Sequence, residues 1–341
     1  MASITHDSMA SELEKTPKVS VILTVKNEER TIGHTIESVL KIDYPDYEVI
    51  VVDGGSEDQT VAVAKNHNVK VIQAKGSTPG QGRNVGVVNS SYPVVAFIDG
   101  DCYVKRNDWL RNSVDLLRQR NIGGVSGPVI PYSEAPYMSK ALMDVLSTFF
   151  ANAGSAQFAR YGKQREVKSI PSCNAVYRKE AIRGTGLFAE DLRFCEDADL
   201  NHRIRRSGYR LVYSPEVVVE HDWKVHSFTS LFRYIFRYGT GRAVAVKKYP
   251  YLFSILQTVP SFVLVFMSFL LLLSLVFGGF FLYAVLFLGF SYCALAFISS
   301  IFVAYRSRDV RMVLVALAAY FLVHVSYGTG FILGFFSHDL R

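Results

Sequence analysis

Between Pro250 and Tyr305 the chain contains no Asp, Glu, Lys or Arg. That apolar stretch is roughly twice the ~20 residues one helix needs to cross the hydrocarbon core of a bilayer. Gly278-Gly279 divides it, so two spans fit, at about 253–277 and 280–304, and a further apolar stretch supplies a third at about 312–335. Spans two and three are joined by Tyr305-Arg306-Ser307-Arg308-Asp309-Val310-Arg311. Three arginines in so short a loop mark it as cytoplasmic, and the uncharged Gly-Gly turn is free to lie outside. Counting back, everything before the first span faces the cytoplasm. Three spans are too few to enclose a wide pore.

The head that precedes this tail is of another kind. With 341 residues, 50% hydrophobic and 20% charged, the chain is not disordered and has length for a full core ahead of the spans. Its four cysteines, Cys102, Cys173, Cys195 and Cys293, form no CxxC pair and read as free thiols in a reducing compartment. A formal net charge of +7 is modest and gives no reason to expect a nucleic acid partner. Met1 to Pro17 is polar, lacks an apolar core of the signal-peptide kind, and is read as a flexible N-terminus.

Short β-branched runs at Val19–Val25, Val49–Val52, Val69–Gln73 and Val94–Ile98 read as buried parallel strands. Helical spacing separates them at Glu29–Leu40, from Val61 onward, and from Gly82 to Val88. This alternation predicts a doubly wound α/β sheet, in which ligands sit at the carboxyl ends of the strands. Three polar clusters fall there: Thr24-Val25-Lys26-Asn27-Glu28-Glu29, Asp53-Gly54-Gly55-Ser56-Glu57-Asp58, and Asp99-Gly100-Asp101. A single such Asp usually caps a turn. Two carboxylates flanking a glycine, where backbone can approach a ligand, suit a hard divalent ion, Mg2+ or Mn2+, shared with phosphate oxygens.

On these residues the sequence resembles the family-2 glycosyltransferases, whose catalytic domain has the GT-A fold, a Rossmann-like mixed sheet. The resemblance runs from about 18 to 222. VSVILTVKNEERTIGHTIESVL is similar to the first strand and helix of that family, and IVVDGGSEDQT to its nucleotide-binding segment. FIDGD matches the metal-binding Asp-x-Asp, and PSCNAVYRKEA resembles the acceptor-side segment. Glu196-Asp197, before ADLNHRIRRSGYRLVYSPE, is similar to the Glu-Asp motif that carries the general base.

The resemblance implies a nucleoside-diphosphate sugar held by Thr24, Val25, Asn27, Glu28, Asp53, Ser56, Asp99 and Gly100, with a metal on Asp99 and Asp101. Asp197 is the expected base and Glu196 its alternative, because helix neighbours point about 100° apart. Two readings stay open at each of three further residues. Arg83 and Asn84 meet phosphate or merely start a helix, and His221 is a third metal ligand or a satisfied buried histidine.

Ser227 to Gly239 reads as an amphipathic helix with Phe228, Leu231, Phe232, Ile235 and Phe236 on one face and Arg233 and Arg237 on the other. Arg242, Lys247 and Lys248 follow, as on a helix lying at an anionic leaflet. Met138, Leu142, Val145, Leu146, Phe149 and Phe150 form a second stripe, interfacial or simply core. Tyr234-Ile235-Phe236-Arg237-Tyr238 resembles the Gln-x-x-Arg-Trp segment of cellulose-synthase-like enzymes, keeping only the Arg, which is expected to pair with the donor diphosphate. That loss argues against a processive polymer synthase.

The expected layout is therefore a GT-A domain over 18–222, an interface region over 223–250 and a membrane domain over 251–341. The expected activity is metal-dependent, inverting transfer of a hexose from a GDP- or UDP-linked donor, GDP-mannose first, to a polyprenyl-linked saccharide. A polyprenyl-phosphate mannose or glucose synthase is the near alternative. A nucleotidyltransferase fits poorly, since Lys26-Asn27-Glu28-Glu29 stands where a glycine-rich loop would be needed, and a non-catalytic binding protein leaves the carboxylates unexplained.

Overall fold

The computed structural model describes residues 16–119, 121–152 and 162–337. The chain divides into two compact units: residues 1–133 with 159–222, and residues 134–158 with 223–341. Most of the flexible N-terminus read from the sequence lies outside the described residues.

The first unit is built on an eight-stranded mixed sheet. Its strands are β1 (Val19–Val25), β2 (Tyr47–Asp53), β3 (Lys70–Gln73), β4 (Val94–Asp99), β6 (Ile122–Ser126), β8 (Arg165–Val167), β9 (Asn174–Arg178) and β10 (Arg210–Tyr213), in the order β3-β2-β1-β4-β9-β6-β10-β8. β1 pairs in parallel with β2 and β4, as the β-branched runs predict. β9 then enters antiparallel between β4 and β6. A small second sheet, β5 (Cys102–Val104), β11 (Val219–His221) and β7 (Val129–Pro131), stands beside it in the order β5-β11-β7.

Ile22, Ile50, Val52, Val95, Phe97, Tyr177, Leu200 and Leu211 share one continuous core. At about 25 cal/mol per Å² of apolar surface removed from water, that burial is the main stabilising term. The helix expected from Gly82 starts earlier, at Pro79. Thr78 accepts from the Gln81 amide while the Gln81 side chain accepts from Thr78 N–H, a reciprocal cap with Pro at the first helical position.

The second unit carries three helices long and apolar enough to cross a membrane: Ile255–Phe277, Gly279–Ser307 and Met312–Phe336. Gly278, at φ 70°, makes the turn read at the Gly-Gly pair. The basic amphipathic helix extends well past Gly239, running Phe228–Lys248. It does not lie alone on a surface. Leu231, Ile235 and Gly239 are buried, and glycines allow close packing on Met312–Phe336. A Cβ on Gly330 would stand 2.3 Å from Phe236 O, and one on Gly334 2.6 Å from Thr240 O. Arg242, read as part of a basic surface, is buried instead and donates to Leu252 O at 2.7 Å.

The stripe from Met138 to Phe150 folds as two short helices, Tyr137–Leu146 and Phe149–Asn152, that belong to this second unit. Tyr320 donates to Thr148 Oγ1 at 3.1 Å, and His324 Nε2 lies 2.8 Å from Phe150 O. Both partners are on the third long helix, so Met138, Leu142, Val145 and Leu146 serve packing within this unit.

Candidate active site at the strand ends

The loops after β1 and β2 are zipped together. Asn27, at φ 56°, donates its N–H to Ser56 Oγ at 2.8 Å, and its side-chain oxygen accepts from Glu57 N–H at 2.9 Å. Glu28 N–H donates to Thr60 Oγ1 at 2.7 Å. Asp53 is fully buried, and its carboxylate accepts from Gly55 N–H, Ser56 N–H and the Ser56 hydroxyl at 2.5 to 3.1 Å. Those bonds give Asp53 and Ser56 a turn-forming role at the floor of the site. Val25 contributes only backbone, accepting from Gly54 N–H at 2.9 Å while its side chain is buried.

Gly100 is tightly packed on its Cα side. A Cβ there would fall 2.8 Å from Val25 Cγ1 and 3.1 Å from Glu28 Cγ. Thr35 fixes the same turn by donating to Gly100 O at 2.8 Å. Thr24, half-buried, reaches Asp99 Oδ1 at 3.5 Å.

Arg83 joins the third strand end to the Glu-Asp motif. Its guanidinium donates to Asp99 Oδ1 at 2.8 Å and to Glu196 Oε1 at 2.7 Å, with the arginine side chain 5% exposed. It is thus tied between two carboxylates rather than held open for phosphate. Asn84 is also committed elsewhere: its amide donates to Phe188 O and accepts from Phe188 N–H, each at 2.9 Å. Both ends of the amide thus staple the loop leading into helix Glu196–Arg206, a structural role beside the two readings left open for it.

The start of that helix separates the two candidate bases. Burial lifts the Glu196 carboxyl above its ordinary range, against the pull of Arg83. Asp197, half-buried, accepts from Ala198 N–H at 2.7 Å. Glu196 is thus engaged by Arg83, and Asp197 stands beside it at the helix start.

Asp101 and His221 come together across the sheets, with His221 Nε2 3.3 Å from Asp101 Oδ1. Burial would lower the histidine pKa, but the Asp101 charge and hydrogen bond raise it to about 9. Asp101, Cys102 and His221 offer ligand atoms all within 4.8 Å of one another. The carboxylate oxygen suits Mn2+ or Mg2+, and the imidazole nitrogen favours Mn2+ of the two. Asp99 keeps Oδ2 for the same ion or for substrate, its Oδ1 being taken by Arg83.

Arg237 lies in the second unit with its side chain exposed. Asn174, in the segment read as acceptor-side, is interior: it accepts from Trp109 Nε1 at 3.0 Å and donates to Val217 O at 2.8 Å. Sequence reasoning passed over Cys102 and Glu190. Cys102 directly follows Asp101, a signal that was available. Glu190, which accepts from Asn84 at 3.3 Å, gave none.

Residues 20–186 match the family model described as glycosyl transferase family 2. Glycosyltransferase AglE of Haloferax volcanii is 28% identical over 236 residues, 66% of this chain and 73% of that protein. The pre-mycofactocin glycosyltransferase of Mycobacterium tuberculosis is 28% identical over 243 residues, 67% of this chain and 48% of its own. The poly-beta-1,6-N-acetyl-D-glucosamine synthase of Staphylococcus epidermidis is 22% identical over 61% of this chain, which spans half the length of that relative. Among solved structures, the mannosyltransferase PcManGT from Pyrobaculum calidifontis, in complex with GDP-Man and Mn2+, superposes with a TM-score of 0.62 at 19% identity. That match covers 93% of this chain and 92% of the other, and at such identity it shows the fold. Residues 20–186 thus carry the family 2 domain of a glycosyltransferase, with a GT-A head and, among the described residues, three helices long and apolar enough to span a membrane.

Proposed function

We propose that the protein transfers a hexose, with inversion, from a nucleoside-diphosphate sugar to a polyprenyl-linked acceptor. The observation that carries this reading is the Arg83 bridge, which holds a carboxylate of the Asp-x-Asp turn and the start of the Glu196–Arg206 helix in one fixed arrangement. Asp101, His221 and the free oxygen of Asp99 are the residues to hold Mn2+ or Mg2+. Such an ion, when bound, neutralises charge on the departing diphosphate.

Asp197 takes the proton of the acceptor hydroxyl as its oxygen bonds to the anomeric carbon. The bond from that carbon to the diphosphate oxygen breaks, and the nucleoside diphosphate leaves. One displacement inverts the anomeric centre. GDP-mannose is the first donor to test, since the fold match to the Pyrobaculum mannosyltransferase spans head and tail alike. The three-arginine loop supports a head on the cytoplasmic side, and a bilayer-spanning tail suits an acceptor that resides in lipid.

Full-length protein in detergent is screened by thermal unfolding with GDP, UDP and their sugars, with Mn2+ or Mg2+. A ligand at 100 times its Kd adds about 2.7 kcal/mol of stability. If none stabilises the protein, the donor assignment fails. Asp197→Asn is expected to keep that stabilisation and lose about 10²- to 10⁴-fold in transfer; transfer at the wild-type rate removes Asp197 as base. A polyprenyl phosphate is assayed beside a polyprenyl-linked saccharide, because the polyprenyl-phosphate sugar synthase is the near alternative.

A further inference from the structure

We infer that Asp101, Cys102 and His221 form a thiol-containing site for Zn2+, overlapping the place proposed for the hard ion. β5 and β11 pair antiparallel with His221 directly opposite Cys102, which puts both side chains on one face. Asp101 precedes Cys102, and its carbonyl is held by Asp222 N–H at 2.9 Å. The carboxylate oxygen lies 3.3 Å from His221 Nε2 and 3.9 Å from Cys102 Sγ.

With ligand bonds of about 2.0–2.3 Å, a tetrahedral zinc site has donor-to-donor edges of about 3.4–3.6 Å. These two separations bracket that range and the third, Cys102 Sγ to His221 Nε2, is no more than 4.8 Å, so side-chain rotations bring three corners into place. The fourth is left for water or a diphosphate oxygen. Asp101 and His221 keep 17% and 20% of their side chains exposed, which leaves an entry path. Cys102 is fully buried, with the thiol of Cys173 beside it.

Softness decides between ions. Mn2+ and Mg2+ favour oxygen and gain little from sulfur, whereas Zn2+ favours the N/S set and binds more tightly at a given site. Asp101 and His221 cannot serve both ions at once. Zinc therefore competes with the activating ion, and this inhibitory consequence rests on the transferase reading above, whereas zinc binding itself does not.

The test uses full-length protein in detergent with Co2+ as the spectroscopic stand-in for Zn2+. A thiolate-to-cobalt charge-transfer band and intense tetrahedral visible bands are expected, both erased by Zn2+ and absent in Cys102→Ser. Cys173→Ser should keep the band. Zinc affinity should fall more than about tenfold in Cys102→Ser. In the transfer assay that variant, measured against its own zinc-free rate, should need correspondingly more Zn2+ for half inhibition. A cobalt spectrum without charge transfer, or equal zinc affinity in Cys102→Ser, overturns the site. If no sugar transfer is found under any condition, the function reading fails while the cobalt band still decides this one.

Discussion

Removing the Arg83 guanidinium should unfold the head at a markedly lower temperature, and the size of the effect can be worked from its partners. Arg83→Met takes away one cation and strands two carboxylates. Glu196 keeps only 12% of its side chain exposed, whereas Asp99 keeps 32% and is partly screened by water. Breaking a buried pair from one side costs about 3–5 kcal/mol, and the exposure of Asp99 puts this case near the lower end, about 3 kcal/mol. For a head of roughly 200 residues, each kcal/mol moves Tm by about 2–4 °C, giving a fall of about 6–12 °C. Thermal unfolding followed by tryptophan fluorescence reads this, since Trp109 is buried in the head. The double variant Arg83→Met with Glu196→Gln should recover part of the loss, because the stranded buried charge is then gone. A single variant melting within about 2 °C of wild type, or a double variant no better than the single, refutes the claim that Arg83 holds the site together.

In the tail, Gly330→Leu forces a side chain into the 2.3 Å gap before Phe236 O, so the Phe228–Lys248 helix must separate from Met312–Phe336. Overpacking of this kind costs about 1–3 kcal/mol or more, read as a lower melting temperature in detergent and faster proteolysis near Tyr249. Glu48 reports on acid stability: burial would raise its pKa, but Ser20 Oγ at 2.6 Å and Ser91 N–H at 2.7 Å hold it below the ordinary carboxylate value. A depressed folded-state pKa contributes stability that is present above the unfolded value and lost as pH falls through the folded one. Melting temperature plotted against pH should therefore fall on acidification, and fall less steeply in Glu48→Gln; parallel curves would remove Glu48 as a contributor.

Much of the architecture was written in local pattern. A charge-free run long enough for two helices has few soluble alternatives, and its Gly-Gly break and arginine loop set the span limits to within a few residues. Alternating β-branched strands placed the carboxylate clusters at strand ends, and the observed parallel pairs β2-β1-β4 agree. The antiparallel insertion of β9 was not legible from periodicity, because a strand buried on both faces carries the same apolar signature in either direction.

Side-chain commitments were harder to read, for a physical reason: a polar residue at a strand end can serve ligand or neighbour equally well until the neighbours are in place. Asp53 spends its carboxylate on its own turn, Asn84 on Phe188, Asn174 on Trp109, and Arg242 on Leu252 O. The partners of Asn84 and Asn174, and the Glu196 partner of Arg83, lie between 43 and 113 residues away, which no local pattern encodes. Sequence alone therefore determined that this chain is a glycosyltransferase carrying helices long and apolar enough to cross a membrane. Which carboxylates are drawn together was decided only by tertiary structure, when Arg83 closed on Glu196 and the β5–β11 register set His221 against Asp101.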